Sequence, residues 1–144
     1  MENNNFNLDK QLLTSQYDNF SYPEKISDIS KEIEENNLYI NYDPKYFWNR
    51  LWPEKEYKNQ KLNVLIAGCG ANQASILAYS NPNHEFTGID LSIEAIKNNE
   101  LLIKKHEINN LKVLCDDFRN YKTKKKFDLI FSTGVIHHLE NPTT

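Results

Sequence analysis

Two glycines one residue apart, Gly68-Cys69-Gly70, follow the short apolar run Leu62 to Ala67. A glycine turn at the end of a buried strand lets backbone approach a ligand closely, because no Cβ stands in the way. In open α/β sheets ligands lie at the carboxyl ends of the strands. Asp90 closes the next β-like run, about 20 residues further on, where a carboxylate can accept from both hydroxyls of a ribose. Together these residues point to an adenosine-type cofactor. A dinucleotide site would need G-x-G-x-x-G, with a helix N-terminus facing a pyrophosphate, but Gln73 stands where the third glycine belongs. G-x-x-x-x-G-K-[ST] does not occur, so a P-loop is not supported. The absence of phosphate-binding signatures favours a phosphate-free adenosine cofactor.

The other reactive side chains carry weaker signals. His137-His138 suggests a metal or a general base, yet adjacent helical residues point about 100° apart and no further ligand has suitable spacing, so no metal site is expected. His137 is a weak candidate base; the competing reading is a histidine bonded to backbone after a strand. Cys69 reads as packing, since no base lies at readable spacing. Cys69 and Cys115 form neither a metal cluster nor a disulfide framework, which suits a reducing compartment.

These residues need a scaffold, and from Leu62 onward strand-like and helix-like segments alternate, the pattern of an α/β domain with a parallel sheet. Strands are expected at Leu62 to Ala67, Glu85 to Asp90, Leu111 to Cys115 and Phe127 to Thr133. Helices are expected at Asn72 to Tyr79 and from Ile93 to about Glu107, the second capped by Ser92, with Ile93, Ile96 and Ile103 on its apolar side. Lys122 to Lys126 reads as a solvated loop. The first sixty residues, polar and aromatic, read as an N-terminal extension (1–60) before the domain (61–144). In the extension Leu8 to Tyr17 is expected to be helical, Tyr22-Pro23 to break the chain, and Pro23 to Glu35 to form a second helix ended by Asn36-Asn37. The aromatic segment Tyr46-Phe47-Trp48-Asn49-Arg50-Leu51-Trp52-Pro53 is expected to pack onto the domain; a lid or substrate wall is the alternative.

Composition sets outer limits. A chain of 144 residues with 39% hydrophobic and 26% charged residues can form one core, which rules out disorder throughout. The formal charge of -3, with only Arg50 and Arg119 to offer a guanidinium fork, makes nucleic acid an unlikely partner. No stretch approaches the ~20 apolar residues of a membrane helix, and Met1 to Lys10 has no leader character, so a cytoplasmic protein is expected. The heavy use of asparagine reads as bias without a mechanism.

Four segments in order carry a resemblance: Leu65 to Gln73, Gly88-Ile89-Asp90-Leu91-Ser92, Cys115-Asp116-Asp117-Phe118, and Phe127 to Leu139 with its Ser132-Thr133-Gly134-Val135-Ile136-His137-His138. They resemble the successive motifs of class I S-adenosylmethionine-dependent methyltransferases. Gln16-Tyr17-Asp18 and Tyr22-Pro23 are similar to a segment preceding the domain in some bacterial members. The resemblance implies a three-layer, Rossmann-like, doubly wound parallel sheet and S-adenosyl-L-methionine as cofactor. It further implies that Ala67, Gly68 and Gly70 bring backbone against the methionine and ribose parts, that Asp90 holds the ribose, and that Leu91 packs on adenine. Asp116 would accept from the adenine amino group, with the amide of Asp117 or Phe118 meeting a ring nitrogen. Ser132 and Thr133 would line the mouth where the methyl group leaves. Two residues depart from the pattern: Ile66 where the family often has an acidic residue, and Asn72 where it often has a third glycine.

The activity implied is methyl transfer to a small-molecule or protein acceptor. The rival reading is a methyltransferase-like cofactor-binding or regulatory module without independent catalysis, because the family's sheet has seven strands, in the order 3-2-1-4-5-7-6, and four are readable here. Strand four is then expected to be a bare apolar edge, which a homodimer, a partner or further chain would cover. An NAD-dependent oxidoreductase is disfavoured by Gln73.

Overall fold

The computed structural model describes residues 24–36 and 43–136. The expected helix at Leu8 to Tyr17, the Tyr22-Pro23 break, Gln16 to Asp18, His137-His138 and the segment from Asn141 to Thr144 lie outside the described residues. Eight elements follow in order: α1 (Ile29–Asn36), α2 (Pro44–Leu51), β1 (Asn63–Ala67), α3 (Gln73–Ser80), β2 (Glu85–Asp90), α4 (Ile93–Lys105), β3 (Leu111–Cys115) and β4 (Leu129–Phe131).

The four strands form one parallel sheet in the order β3-β2-β1-β4. The chain leaves β1 towards β2 and β3 on one side and returns to β4 on the other, which puts a topological switch point between β1 and β4. Val64, Ile66, Phe86, Leu129 and Phe131 face a common core with Ile76 and Leu77 of α3 and Ile96 and Leu102 of α4. Gly88 makes that packing close: a Cβ there would stand 3.0 Å from the Ala74 Cβ and 3.1 Å from the Cys69 Sγ.

The N-terminal elements share this core. Ile29 of α1 is fully buried in it, its amide donating to His106 Nε2 at 3.1 Å. Of the aromatic segment, Phe47 sets its ring edge-on to Phe131 with centroids 4.9 Å apart, and Trp48 and Trp52 pack against the core. Packing onto the domain therefore holds for these three, whereas Tyr46 and Leu51 are exposed.

Three expectations need correction. The helix expected from Pro23 begins at Ile29, because the Asp28 carboxylate accepts from the Lys31 amide at 3.2 Å and caps it there. Ile93 is exposed rather than part of the apolar side of α4, which is carried by Ala95, Ile96 and Leu102; at about 100° per residue Ile93 falls about 60° beyond Ile96, outside that arc. Strand four shrinks from Phe127 to Thr133 to three residues, since Asp128 already turns to accept the Asn63 amide on its carboxylate at 2.7 Å and Gly134 adopts φ +72°. Within the described sheet β4 has a neighbour on one side only, and Ile130 is 64% exposed. Among the described residues no helix is long and apolar enough to cross a membrane.

Candidate cofactor site at the strand ends

The turn after β1 adopts backbone that only glycine takes easily. Gly68 has φ +75° and Gly70 φ +55°, left-handed values that place Cβ against the following carbonyl in other residues. A Cβ on Gly68 would also come within 2.1 Å of the Val135 Cγ2, so this glycine is required by space as well as by conformation. The amides of Gly68 and Cys69 both donate to the Ile89 carbonyl, at 2.8 and 3.0 Å, which ties the turn to the end of β2.

Asp90 organises the centre. Its Oδ2 accepts from the Gly70 amide at 2.8 Å and its Oδ1 from the Ser92 amide at 2.9 Å, so one carboxylate joins the glycine turn to the start of α4. Its backbone carbonyl accepts from the Asp116 amide at 3.0 Å, which brings in the end of β3. Asp90 thus caps the loop between β2 and α4. A carboxylate has room for about four donors, so holding the turn and accepting ribose hydroxyls are compatible roles.

The remaining residues fall along the same edge. Ala67 is buried at the end of β1, and Leu91 lies half-buried beyond β2. Asp116 is exposed; its Oδ1 accepts from the Asp117 amide at 2.7 Å, so of the two amides expected near adenine, that of Asp117 already has a partner. The Asp117 side chain is buried and clamped by Arg119, with Nε 2.9 Å from Oδ1 and Nη2 2.6 Å from Oδ2. One of the two arginine forks is therefore engaged inside the fold, in a loop-stabilising ion pair that the sequence reading missed. Phe118 is half-buried beside it. At the end of β4, Thr133 is exposed, while the Ser132 hydroxyl is buried with no hydrogen-bond partner among the described residues. His137 lies outside the described residues. Burial pushes the Cys69 thiol far above its usual range, with the Asp90 charge adding to the effect, so this cysteine is a packing residue. No group of three or more metal-binding side chains comes together among the described residues.

Sequence reading missed Ser75, Asn98 and Asn99 and took Asn72 only as a departure from the family's third glycine; the four form a hydrogen-bonded set behind the turn. Asn99 gives one signal in hindsight: it interrupts the apolar face of α4 three residues after Ile96 and three before Leu102, where a polar side chain needs a buried partner.

Comparison with known proteins bears on this arrangement. The family described as "Methyltransferase domain" matches residues 58–144. The chain is 30% identical over 92 residues to (S)-coclaurine N-methyltransferase of Papaver somniferum, covering 63% of this chain and 26% of that protein. It is 32% identical over 89 residues to malonyl-[acyl-carrier protein] O-methyltransferase 2 of Ilyobacter polytropus, covering 60% of this chain and 33% of the relative. The chain thus spans a quarter to a third of the length of these curated relatives. Among solved structures it is similar to PKMT2 of Rickettsia typhi in complex with AdoHcy, with 25% identity and a TM-score of 0.55, over 65% of this chain and 19% of that one.

Proposed function

Because the chain belongs to the methyltransferase-domain family, we propose that it holds S-adenosyl-L-methionine across the ends of β1, β2 and β3 and takes part in methyl transfer to a small-molecule or protein acceptor. The observation that carries this reading is the junction at Asp90, where one carboxylate fixes the glycine turn at the switch point of the sheet. The side chains fit the ligand. Gly68 and Gly70 supply a backbone surface without Cβ atoms, Asp90 an acceptor for ribose hydroxyls, and Asp116 an exposed acceptor that selects an amino-bearing purine edge. The Ser132 hydroxyl, buried without a partner among the described residues, supplies a polar atom at the end of β4.

When bound, the cofactor supplies a methyl group on a sulfonium sulfur, already a good leaving group. The protein's task is then to align the acceptor and keep the two reactants in contact. Thr133 to Ile136 lie where an acceptor would enter, and a base is needed only for an acceptor that arrives protonated. The relatives are named for transfer to nitrogen and to oxygen, which supports an acceptor of one of those types here. Cys69, buried with its thiol free, supports a cytoplasmic setting.

Isothermal titration with S-adenosylhomocysteine tests the reading. One-to-one binding that Asp90→Ala weakens at least tenfold is expected, with no heat from NAD. Absence of binding by folded protein overturns it.

A further inference from the structure

Asn72 occupies the N-cap position of α3, yet its side chain makes no capping bond. Instead its Oδ1 accepts from the Ile26 amide at 3.1 Å and its Nδ2 donates to the Glu24 carbonyl at 2.6 Å, so it tethers the segment before α1. A helix start leaves amides in need of acceptors. On α3 the amide of Ser75, in the first turn, is satisfied from another helix: it donates to Asn99 Oδ1 at 3.2 Å, and the Ser75 hydroxyl donates to the same oxygen at 2.7 Å.

The other end of the Asn99 amide faces the turn. Its Nδ2 donates to the Gly70 carbonyl at 2.7 Å and to the Ala95 carbonyl at 2.9 Å. Oδ1 between two donors and Nδ2 between two carbonyls fix the orientation of the side chain, and Asn99 is completely buried. Beside it, Asn98 Nδ2 lies 3.0 Å from both the Ala71 carbonyl and Asn72 Oδ1. The two peptide groups flanking the Gly70 Cα are therefore both held, the N–H by Asp90 and the C=O by Asn99.

We propose that Asn99, with Asn98 beside it, is a positioning residue for the cofactor turn: α4 sets the height of the Gly70 and Ala71 peptides through two side-chain amides and so presets the backbone surface that the cofactor meets. This rests on the cofactor reading above and adds residues that do not touch the cofactor. A left-handed glycine turn has other conformations open to it, and ordering it before binding spares the ligand that cost.

The test compares Asn99→Ala with Ser75→Ala in the 144-residue chain. Asn99→Ala removes both bonds from Ser75 and frees the Gly70 carbonyl, whereas Ser75→Ala removes only the hydroxyl bond and leaves Asn99 on Gly70. At a temperature where each variant is fully folded, Asn99→Ala is expected to weaken S-adenosylhomocysteine about tenfold and to speed exchange of the Gly70 amide by a similar factor, the size of one buried amide bond. Ser75→Ala is expected to lower the melting temperature and leave both readouts within about twofold. If Asn99→Ala does not fold, Asn98→Ala, at a half-buried position, decides the matter through exchange at Gly70 and Ala71, where about threefold is expected. Equal changes in Asn99→Ala and Ser75→Ala, or unchanged exchange in the asparagine variants, overturn the proposal. Failure of the wild-type chain to bind S-adenosylhomocysteine overturns the cofactor reading instead, and the exchange measurements then judge the positioning role alone.

Discussion

The two ends of the sheet are built from the same kinds of residue and do opposite things with them. At the amino ends of the strands every polar group named here is spent inside the fold. Asn110 Nδ2 lies within 3.1 Å of three carbonyls, those of Ala78, Asn81 and His84. His84 is buried, and its Nδ1 accepts from the Leu62 amide at 3.3 Å. That bond leaves the proton on Nε2, which donates to the Tyr57 hydroxyl at 3.3 Å, and the hydroxyl donates in turn to the Gln60 carbonyl at 3.1 Å. At the carboxyl ends, side-chain amides and a carboxylate hold the backbone in glycine-only conformations, the Ser132 hydroxyl has no partner among the described residues and Asp116 is exposed. Closed polar networks lock the first end, and an ordered but unfinished one prepares the second for a ligand.

Four measurements bear on this contrast. Gly68→Ala should be the most damaging, because left-handed backbone costs about 1–2 kcal/mol in an L-residue and the new methyl meets Val135. Urea denaturation should show a loss above about 2 kcal/mol, and titration should show no S-adenosylhomocysteine binding. An alanine here that binds normally would remove the case for a close-approach turn.

Asp90→Asn comes next. It keeps the shape but loses the charge that accepts two backbone amides, so binding of S-adenosylhomocysteine should fall by about tenfold to a hundredfold, with a smaller fall in melting temperature. A stability loss without a change in affinity would make Asp90 a residue of the locked kind.

The third measurement probes the closed end. Burial pushes the His84 pKa below its ordinary 6.5, with Asp43 opposing. A proton on Nδ1 would confront the Leu62 N–H, a mismatch of about 1–3 kcal/mol. The folded pKa is depressed, so the neutral ring's contribution is complete above the unfolded value and is lost as pH falls through the folded one. Thermal midpoints should therefore drop from pH 7 towards pH 5. The paired carboxylates Asp28 and Glu94, also depressed, act in a lower window, below about pH 4.5. A His84→Gln variant, less stable throughout, should lose the upper slope; retention of that slope would assign it to another group.

The mildest change is expected at Lys97→Ala. Its nitrogen lies 2.8 Å from Glu94 at an exposed position, with Lys25 3.2 Å from the same carboxylate, and such surface pairs contribute little. Neither the melting temperature nor affinity should move measurably.

How legible the molecule was depends on range along the chain. β2 and β3 run as expected, Glu85–Asp90 and Leu111–Cys115, because apolar runs bounded by turn residues declare themselves locally. Ser92 caps α4 by accepting from the Ala95 amide at 3.1 Å, again a local bond. The glycine turn and Asp90 were found by type and spacing, and the fold brings them within one hydrogen bond. The bounds of β4 were misjudged because Phe127 and Ser132 suit a strand, whereas the turn at Asp128 and the register against β1 confine it to Leu129–Phe131.

Local chemistry in the chain thus settled the order of the elements, the glycines that permit close approach and the carboxylate that stands beside them. Tertiary packing settled which asparagines matter. Asn98 and Asn99 read as compositional bias and Asn72 as a departure from a family glycine; the packing of α4 and of the segment before α1 against the start of α3 brings their amides beside carbonyls 26 to 48 residues away in the chain. A side-chain amide is optional in water and obligatory as a partner once buried, so its role was decided when the helices met.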